Sequence, residues 1–353
     1  MAKRVFSMDS TKHNDIVRHA SVMADQPSLV VDDFAQLLFP KTDVVFNDRM
    51  LSNARQYLRN IIGKIETQIC SIATQELGVE QEAILAIGQG GEGRSFQLLE
   101  NSTLLKTAEI VQHIFVKTQQ SELSARLLQK ISQEDLESTL TRHLDHNDPI
   151  VADAAMGLLV AQSKGTGATG EMSDDFSDLP PEIAYALAWP VTAALARLTG
   201  QSGSQLQQAT ERLLAAHDES AGVARKAERL AQLLDQSDSD KNDIPHPMRD
   251  GLSLFLARLA RQSGTTSDQI IAFTAEPNMP RLVVLMRAAD FPAAEAVSIF
   301  AALDGNGDIL TAATYGETDR DQSLALVSHW TSPVAYQNAE RVLANDILGD
   351  LGK

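Results

Sequence analysis

Between Arg49 and Leu77 the apolar residues Ala54, Leu58, Ile61, Ile62, Ile65, Ile69 and Ile72 recur at steps of three and four. At about 3.6 residues per turn such steps fall along one face of a helix, whereas a half-buried strand needs strict alternation. A stripe this long cannot bury itself and requires other apolar helix faces to cover it. The same period recurs down most of the chain. Aromatic residues make up only 5%, and Ala and Leu outweigh the β-branched and aromatic types that strands prefer. The expected fold class is all-α: stacked helical hairpins in a HEAT/armadillo-like array, with an N-terminal helical bundle.

Turn and cap residues divide the chain. Residues 1–45 form a lead-in before the long helix, which Gly78 ends. A helix over 80–87 leads into the glycine-rich segment Gly88–Gly93, and helices are expected at 94–105, 107–118 and 121–131. Ser132 and Asp135 have the spacing of a capping box opening a helix that turns Leu136, Leu140 and Leu144 inward. Asp148 followed by Pro149 reads as an N-cap with proline at the first helical position, where its missing N–H costs nothing. The helix after it would bury Val151, Ala154, Ala155, Leu158 and Leu159, making a helical hairpin with the one before.

Residues 164–179, with Gly165, Gly167 and Gly170 ahead of an acidic run, read as a flexible linker. The expected domains are therefore 46–163 and 180–303, with closing helices over 304–353. After the linker, Ile183, Leu187, Val191, Leu195 and Leu198 mark a helix that Pro190 is expected to kink. Helices at 204–216 and 220–235 follow, then a polar break from Ser237 to Pro247. Ala196-Arg-Leu-Thr-Gly-Gln-Ser-Gly203 and Ala257-Arg-Leu-Ala-Arg-Gln-Ser-Gly264 repeat one pattern. Each is read as a helix end whose last glycine takes the left-handed cap, with Ser204 capping the next helix in the first copy and Thr266 with Gln269 in the second. Helices near 250–262, 266–274, 280–289 and 292–303 then place Phe255, Leu259, Ile270, Leu285, Met286, Val297 and Phe300 in a core. A loop over 304–318 precedes two closing helices, the second opened by Pro333.

Three of these stretches resemble a large bacterial family known only as domain of unknown function number 2336. They are Leu123–Val160 with its Leu144-Asp-His-Asn-Asp-Pro-Ile-Val-Ala152, Asp178-Leu-Pro-Pro-Glu-Ile-Ala-Tyr-Ala-Leu-Ala-Trp189 with the following Val191–Arg197, and Gly251–Leu303. Residues 1–110 and 304–353 lie outside the likeness, and Pro190 is a departure from its pattern. The resemblance implies a helical-repeat-like fold in a bacterial cytoplasm, in signalling or cell-envelope regulation. It carries no catalytic residues, because the shared motifs are turns and packing faces.

The charge balance narrows the function classes. Lys and Arg total 30 against 47 Asp and Glu, a formal net charge of −17. Such a surface repels phosphate backbones and anionic lipid, so nucleic acid is not an expected partner. No apolar run reaches the roughly 18 residues of a membrane span, and Asp9, Lys12 and Asp15 interrupt any signal-peptide pattern. Cys70 is the single cysteine, so no internal disulfide can form, and a cytoplasmic location is expected.

Each motif that invites a chemical reading fails at a named position. Gly88-Gln-Gly-Gly-Glu-Gly93 follows a helical pattern rather than a strand and ends in Arg94-Ser95, not in the Gly-Lys-Ser/Thr of a phosphate loop. Asp304-Gly-Asn-Gly-Asp308 alternates oxygen donors as a calcium loop does, but Ile309 and Tyr315 stand where glycine and glutamate are needed. His143 and His146, beside Asp145 and Asp148, have metal-ligand spacing, yet Pro149 follows at once and no further ligand motif completes a site. His113 has apolar neighbours and reads as a core residue, and Cys70 lacks a basic neighbour to form a thiolate. No cofactor or metal is expected. The leading expectation is a non-enzymatic scaffold or regulator that binds another protein along the helices of 121–160 and 181–303. The alternative is a phosphotransfer component with His113 or His143 as acceptor.

Overall fold

A computed structural model describes residues 16–18, 20–21, 49–78, 94–131, 141–165, 175–200, 203–237, 243–276, 278–303, 310–333, 336 and 339. Among these residues the protein is all-α, with no strand. The chain forms two compact units, one of residues 28–241 with 250–254, the other of 1–27, 242–249 and 255–353. The helix expected over 80–87, the glycine-rich segment after it, the Ser132–Asp135 capping box and the Asp304–Asp308 loop lie outside the described residues.

The larger unit is organised by α1, Arg49–Leu77, whose stripe buries Leu51, Ala54, Tyr57, Leu58, Ile61, Ile62, Ile65, Ile69 and Ala73. Ile72 is only half-buried, and the neighbouring Ala73 takes the inward position at that end. Each fully buried Ile or Leu contributes roughly 1.5–3 kcal/mol of apolar burial, so this one stripe dominates the unit's core. Against α1 pack α2 (Arg94–Glu100), α3 (Ala108–Lys130), α5 (Pro181–Thr199) and α6 (Gly203–Ala215). In α3 the Thr107 hydroxyl caps Ile110 N, and Glu109 and Lys130 sit at the ends the helix dipole favours. The pair α5 and α6 shares a buried hydroxyl bond between Thr192 and Thr210.

A second layer pairs α4 (Pro149–Gly165) with α7 (Val223–Gln236). The Asp148 carboxylate accepts from Ile150 N at 2.9 Å with Pro149 at the first position, as the Asp-Pro pattern predicts. The start of α7 is capped from a distance: Asp178 Oδ1 accepts from Val223 N at 2.7 Å. Asp178 is delivered by a 3₁₀ turn, Phe176–Asp178, which packs on a second one, Glu219–Ala221. The two turns share a design. Asp175 accepts from Ser177 N at 3.2 Å and Asp218 from Ser220 N at 3.0 Å, each an Asp-x-Ser turn. The segment 164–179 thus contributes a packed turn inside this unit.

The smaller unit is built around α11, Pro280–Ala288, which packs on α10 (Ser267–Thr274), α12 (Ala293–Leu303) and α14 (Arg320–Trp330). The predicted capping box at Thr266 and Gln269 is present in both directions, at 3.2 and 3.0 Å. Phe273 meets Trp330 edge to face with ring centres 5.6 Å apart and carries the Arg281 guanidinium 4.4 Å above its face. Arg281 is also held by the buried Glu276 carboxylate, and burial raises that carboxyl above its ordinary range while Arg281 opposes the rise. Arg258, 1% exposed, reaches Asp243 Oδ2 at 2.9 Å.

Several local expectations change. Residues 108–130 form one helix, not two: no glycine or proline stops the chain near 119–120, and Thr118 turns its hydroxyl back to the Ile114 carbonyl at 2.7 Å instead of capping a new helix. The expected helix over 250–262 is broken by Gly251 at φ 74° into α8 (Pro247–Asp250) and α9 (Leu252–Ser263). In the first copy of the repeated junction the left-handed cap is Gly200 at φ 63°, not Gly203. Gly203 instead begins α6, and Ser204 lies inside that helix. In the second copy Gly264 does take φ 68°, as expected. Within the expected loop 304–318 a short helix, α13 (Ala312–Glu317), is capped by Thr311. Pro190 lies within an uninterrupted α5. Val297 is half-buried, with Ala296 and Ile299 filling the core beside it.

Candidate functional site

His113 lies on α3 with its ring turned into the larger unit, 7% exposed. Its Nε2 is 3.0 Å from the Tyr57 hydroxyl on α1. Burial, with Lys117 adding to it, pushes the imidazole from its ordinary 6.5 down to about 3. The ring is therefore neutral at physiological pH and serves as a hydrogen-bonded strut between two helices. A phosphoryl group would need open solvent at a ring nitrogen, and this side chain offers little.

His143 is also buried, in the 141–146 turn that precedes α4. The structure brings it to a partner that sequence reading missed. Asp250, at the end of α8 and with its side chain fully enclosed, accepts from Arg142 Nη1 at 2.7 Å and stands 4.0 Å from His143 Nε2. Two adjacent basic residues thus converge on one buried carboxylate more than a hundred residues away in sequence. Beside them is a cavity of about 30 Å³ lined by Ala155, Leu158, Leu159, Gln162, Leu230, Gly251 and Leu254. That is room for a water molecule or two, far below the roughly 300 Å³ of a small-molecule site. The arrangement fastens the turn before α4 to the α8–α9 junction and leaves no space for a substrate.

His146 plays a different part from its neighbour: its Nδ1 accepts from Asp148 N at 3.0 Å, tightening the turn that leads into α4. Cys70 is half-buried on α1, and burial followed by the nearby Glu66 raises its thiol to about 11. Among the described residues no group of three or more His, Cys, Asp or Glu is placed to hold a metal ion. Among the same residues no helix is long and apolar enough to cross a membrane.

What stands out instead is apolar surface. On α5 the buried set Ile183, Leu187, Val191 and Leu195 faces α1 and α6. Tyr185 and Trp189 lie two positions from each inward residue, about 200° around the helix. Tyr185 is 61% exposed and meets the Trp189 ring edge to face, 6.1 Å between centres. The indole Nε1 of Trp189 is enclosed without a hydrogen-bond partner among the described residues. On α4 the outward side carries Ile150, Met156 and Val160, 45–56% exposed. The signal for the α5 pair was in the sequence, since fixing the inward stripe fixes what points out.

Comparison with known proteins finds no matching family model, no similar curated protein and no similar solved structure.

Proposed function

We propose that this chain is a non-catalytic interaction protein of a bacterial cytoplasm, its helices arranged as a HEAT-like array with an N-terminal bundle and offering an outward face to a partner protein. The likeness to domain-of-unknown-function family 2336 supports that setting, and the acidic charge turns the protein away from nucleic acid. One observation carries the reading: on α5 the exposed Tyr185 packs on the half-buried Trp189 beside it. Tyr and Trp are the residues most enriched at the centres of protein interfaces, because each covers a large area with few rotatable bonds. Here they project from a rigid helix whose other face is fixed in the core, so the surface is already ordered before anything binds.

The test is a photo-crosslinking residue at position 185 in the cell of origin. A discrete adduct that disappears in a Trp189→Ala background is the expected result. No adduct beyond that from the same residue at the exposed polar position Gln208 would refute the reading. Phosphotransfer through His113 or His143 has the burial of both rings against it. An acid-labile label from acetyl phosphate that is lost in His113→Ala or His143→Ala would revive it.

A further inference from the structure

The apolar side of α4 has an internal pattern that selects its occupant. Met156, Val160, Asp153 and Lys164 lie within an arc of about 80° at 100° per residue, all on the side of α4 turned away from α7. All four are exposed, and the only charged groups outward along α4 are that one acid and that one base. Among the described residues neither Asp153 nor Lys164 has an ion-pair partner. Met156 and Val160 are centred on Leu158, and Asp153 and Lys164 are centred half a residue beyond it. The two midpoints thus lie under 1 Å apart along the helix, at about 1.5 Å of rise per residue.

A face with that symmetry is complementary to itself when reversed. Laid antiparallel on its own copy and crossing at Leu158, α4 sets Met156 against the other copy's Val160. The same register brings Asp153 within one residue, about 1.5 Å along the axis, of the level of the other copy's Lys164, close enough for the two side chains to pair, and each contact occurs twice. Antiparallel helices also oppose their dipoles favourably. We infer that the protein associates with a second copy of itself through α4, as a two-fold dimer in this register. Gly157 lies near the crossing point, and a Cβ there would meet nothing closer than the Lys226 side chain at 3.7 Å. One helix face is small for an interface, and both copies carry −17, so the dimer is weak, in the upper micromolar range.

Sedimentation equilibrium of the full chain, up to about 1 mM, tests this. Wild type should show a monomer–dimer equilibrium. The double substitution Met156→Lys with Val160→Lys should leave a monomer with unchanged helical circular dichroism, since both side chains are exposed. Asp153→Lys alone should weaken the dimer about tenfold, two symmetry-related pairs being turned repulsive at once. Adding Lys164→Asp should restore it, which a general loss of solubility or fold would not do. A wild-type chain that stays monomeric throughout, a dimer indifferent to the double lysine variant, or a charge swap that fails to rescue overturns the proposal. None of these results bears on the α5 face, so this dimer and the partner-binding reading fail independently.

Discussion

Gly222 is the position where the described backbone leaves least room for a side chain. A Cβ there would stand 2.8 Å from the Ser177 carbonyl oxygen, 2.8 Å from Asp178 Oδ1 and 3.2 Å from the Glu219 carbonyl oxygen. Ordinary contacts are about 3.4 Å or longer, so two atoms must retreat by roughly half an ångström. The Ser177 oxygen is backbone and can move only with its 3₁₀ turn. Asp178 can rotate away, but its carboxylate is the cap on Val223 N at 2.7 Å, and rotation uncaps α7. Gly222 itself sits at φ −71°, ψ 157°, a conformation open to any residue. Alanine therefore gains about 0.5–1 kcal/mol from a stiffer unfolded chain. Against that stand about 1–3 kcal/mol for overpacking and about 1 kcal/mol for the lost cap.

The net for Gly222→Ala is a loss of about 1–3 kcal/mol, and at about 2–4 °C per kcal/mol for a unit of this size the melting temperature should fall by some 3–10 °C. Thermal melts followed by circular dichroism, with urea midpoints as a check on unchanged slope, measure it. Gly63→Ala is the paired control. It lies in the middle of α1 with nothing within 4 Å of its Cβ position, and should gain about 0.5–1 kcal/mol as any open mid-helix glycine does. If Gly222→Ala melts at or above wild type while Gly63→Ala behaves as expected, the close packing of the two 3₁₀ turns on the start of α7 is wrong.

The remaining predictions follow from single environments. His113 has a folded pKa of about 3 against an ordinary 6.5, so only the unfolded chain takes up a proton between those values. Stability is then complete above the ordinary value and drains away as pH falls toward the folded one, at up to about 1.4 kcal/mol per pH unit. His113→Gln should be less stable at neutral pH but show a flatter acid limb, and parallel curves for the two proteins would contradict the assignment. Cys70, raised to about 11, should react with iodoacetamide at pH 8 far more slowly in the folded protein than in urea, a difference quantified by mass spectrometry. Equal rates would place the thiol in solvent. Thr266→Ala removes the hydroxyl arm of the α10 capping box, leaving only the residue 266 N–H to Gln269 arm, and should cost about 1 kcal/mol in urea titration. A change under a few tenths would mean the box contributes nothing.

What the chain disclosed in advance was local. The stripe of α1, the Asp148–Pro149 start of α4 and the Thr266–Gln269 box each depend on residues within a few positions of one another, and each is where the spacing predicts it. The all-α class followed from the same periodicity. What could not be read was contact at long range. Nothing near Arg142 and His143 in sequence announces Asp250, and nothing near Val223 announces that Asp178 caps it across the gap. The misplaced glycine cap has a related cause. Gly200 and Gly203 are equally able to adopt positive φ, and which one ends α5 is decided by where α6 packs on α1. Residues 175–178 read as linker because Asp and Ser are frequent there and three glycines precede them at 165, 167 and 170. The same residues make an Asx turn once a second turn exists to pack on.

The two outward faces differ in how far periodicity alone exposes them. On α5 the inward residues repeat every four positions without interruption, so the outward place of Tyr185 and Trp189 follows from the pattern. On α4 apolar residues occupy both sides. Val151, Ala154, Ala155, Leu158 and Ala161 are buried, yet Ile150, Met156 and Val160 are apolar too and lie about half exposed. A helix apolar all round is expected to be covered all round, so its sequence gives no reason to choose one side as solvent-facing. The structure makes that choice through α7, which covers one side only. The side left open is then the informative one. Single exposed apolar residues are ordinary on any surface, whereas a run of them on one helix side, bounded by an acid and a base that have no ion-pair partner among the described residues and are centred within half a residue of it, is a specific shape for something to match.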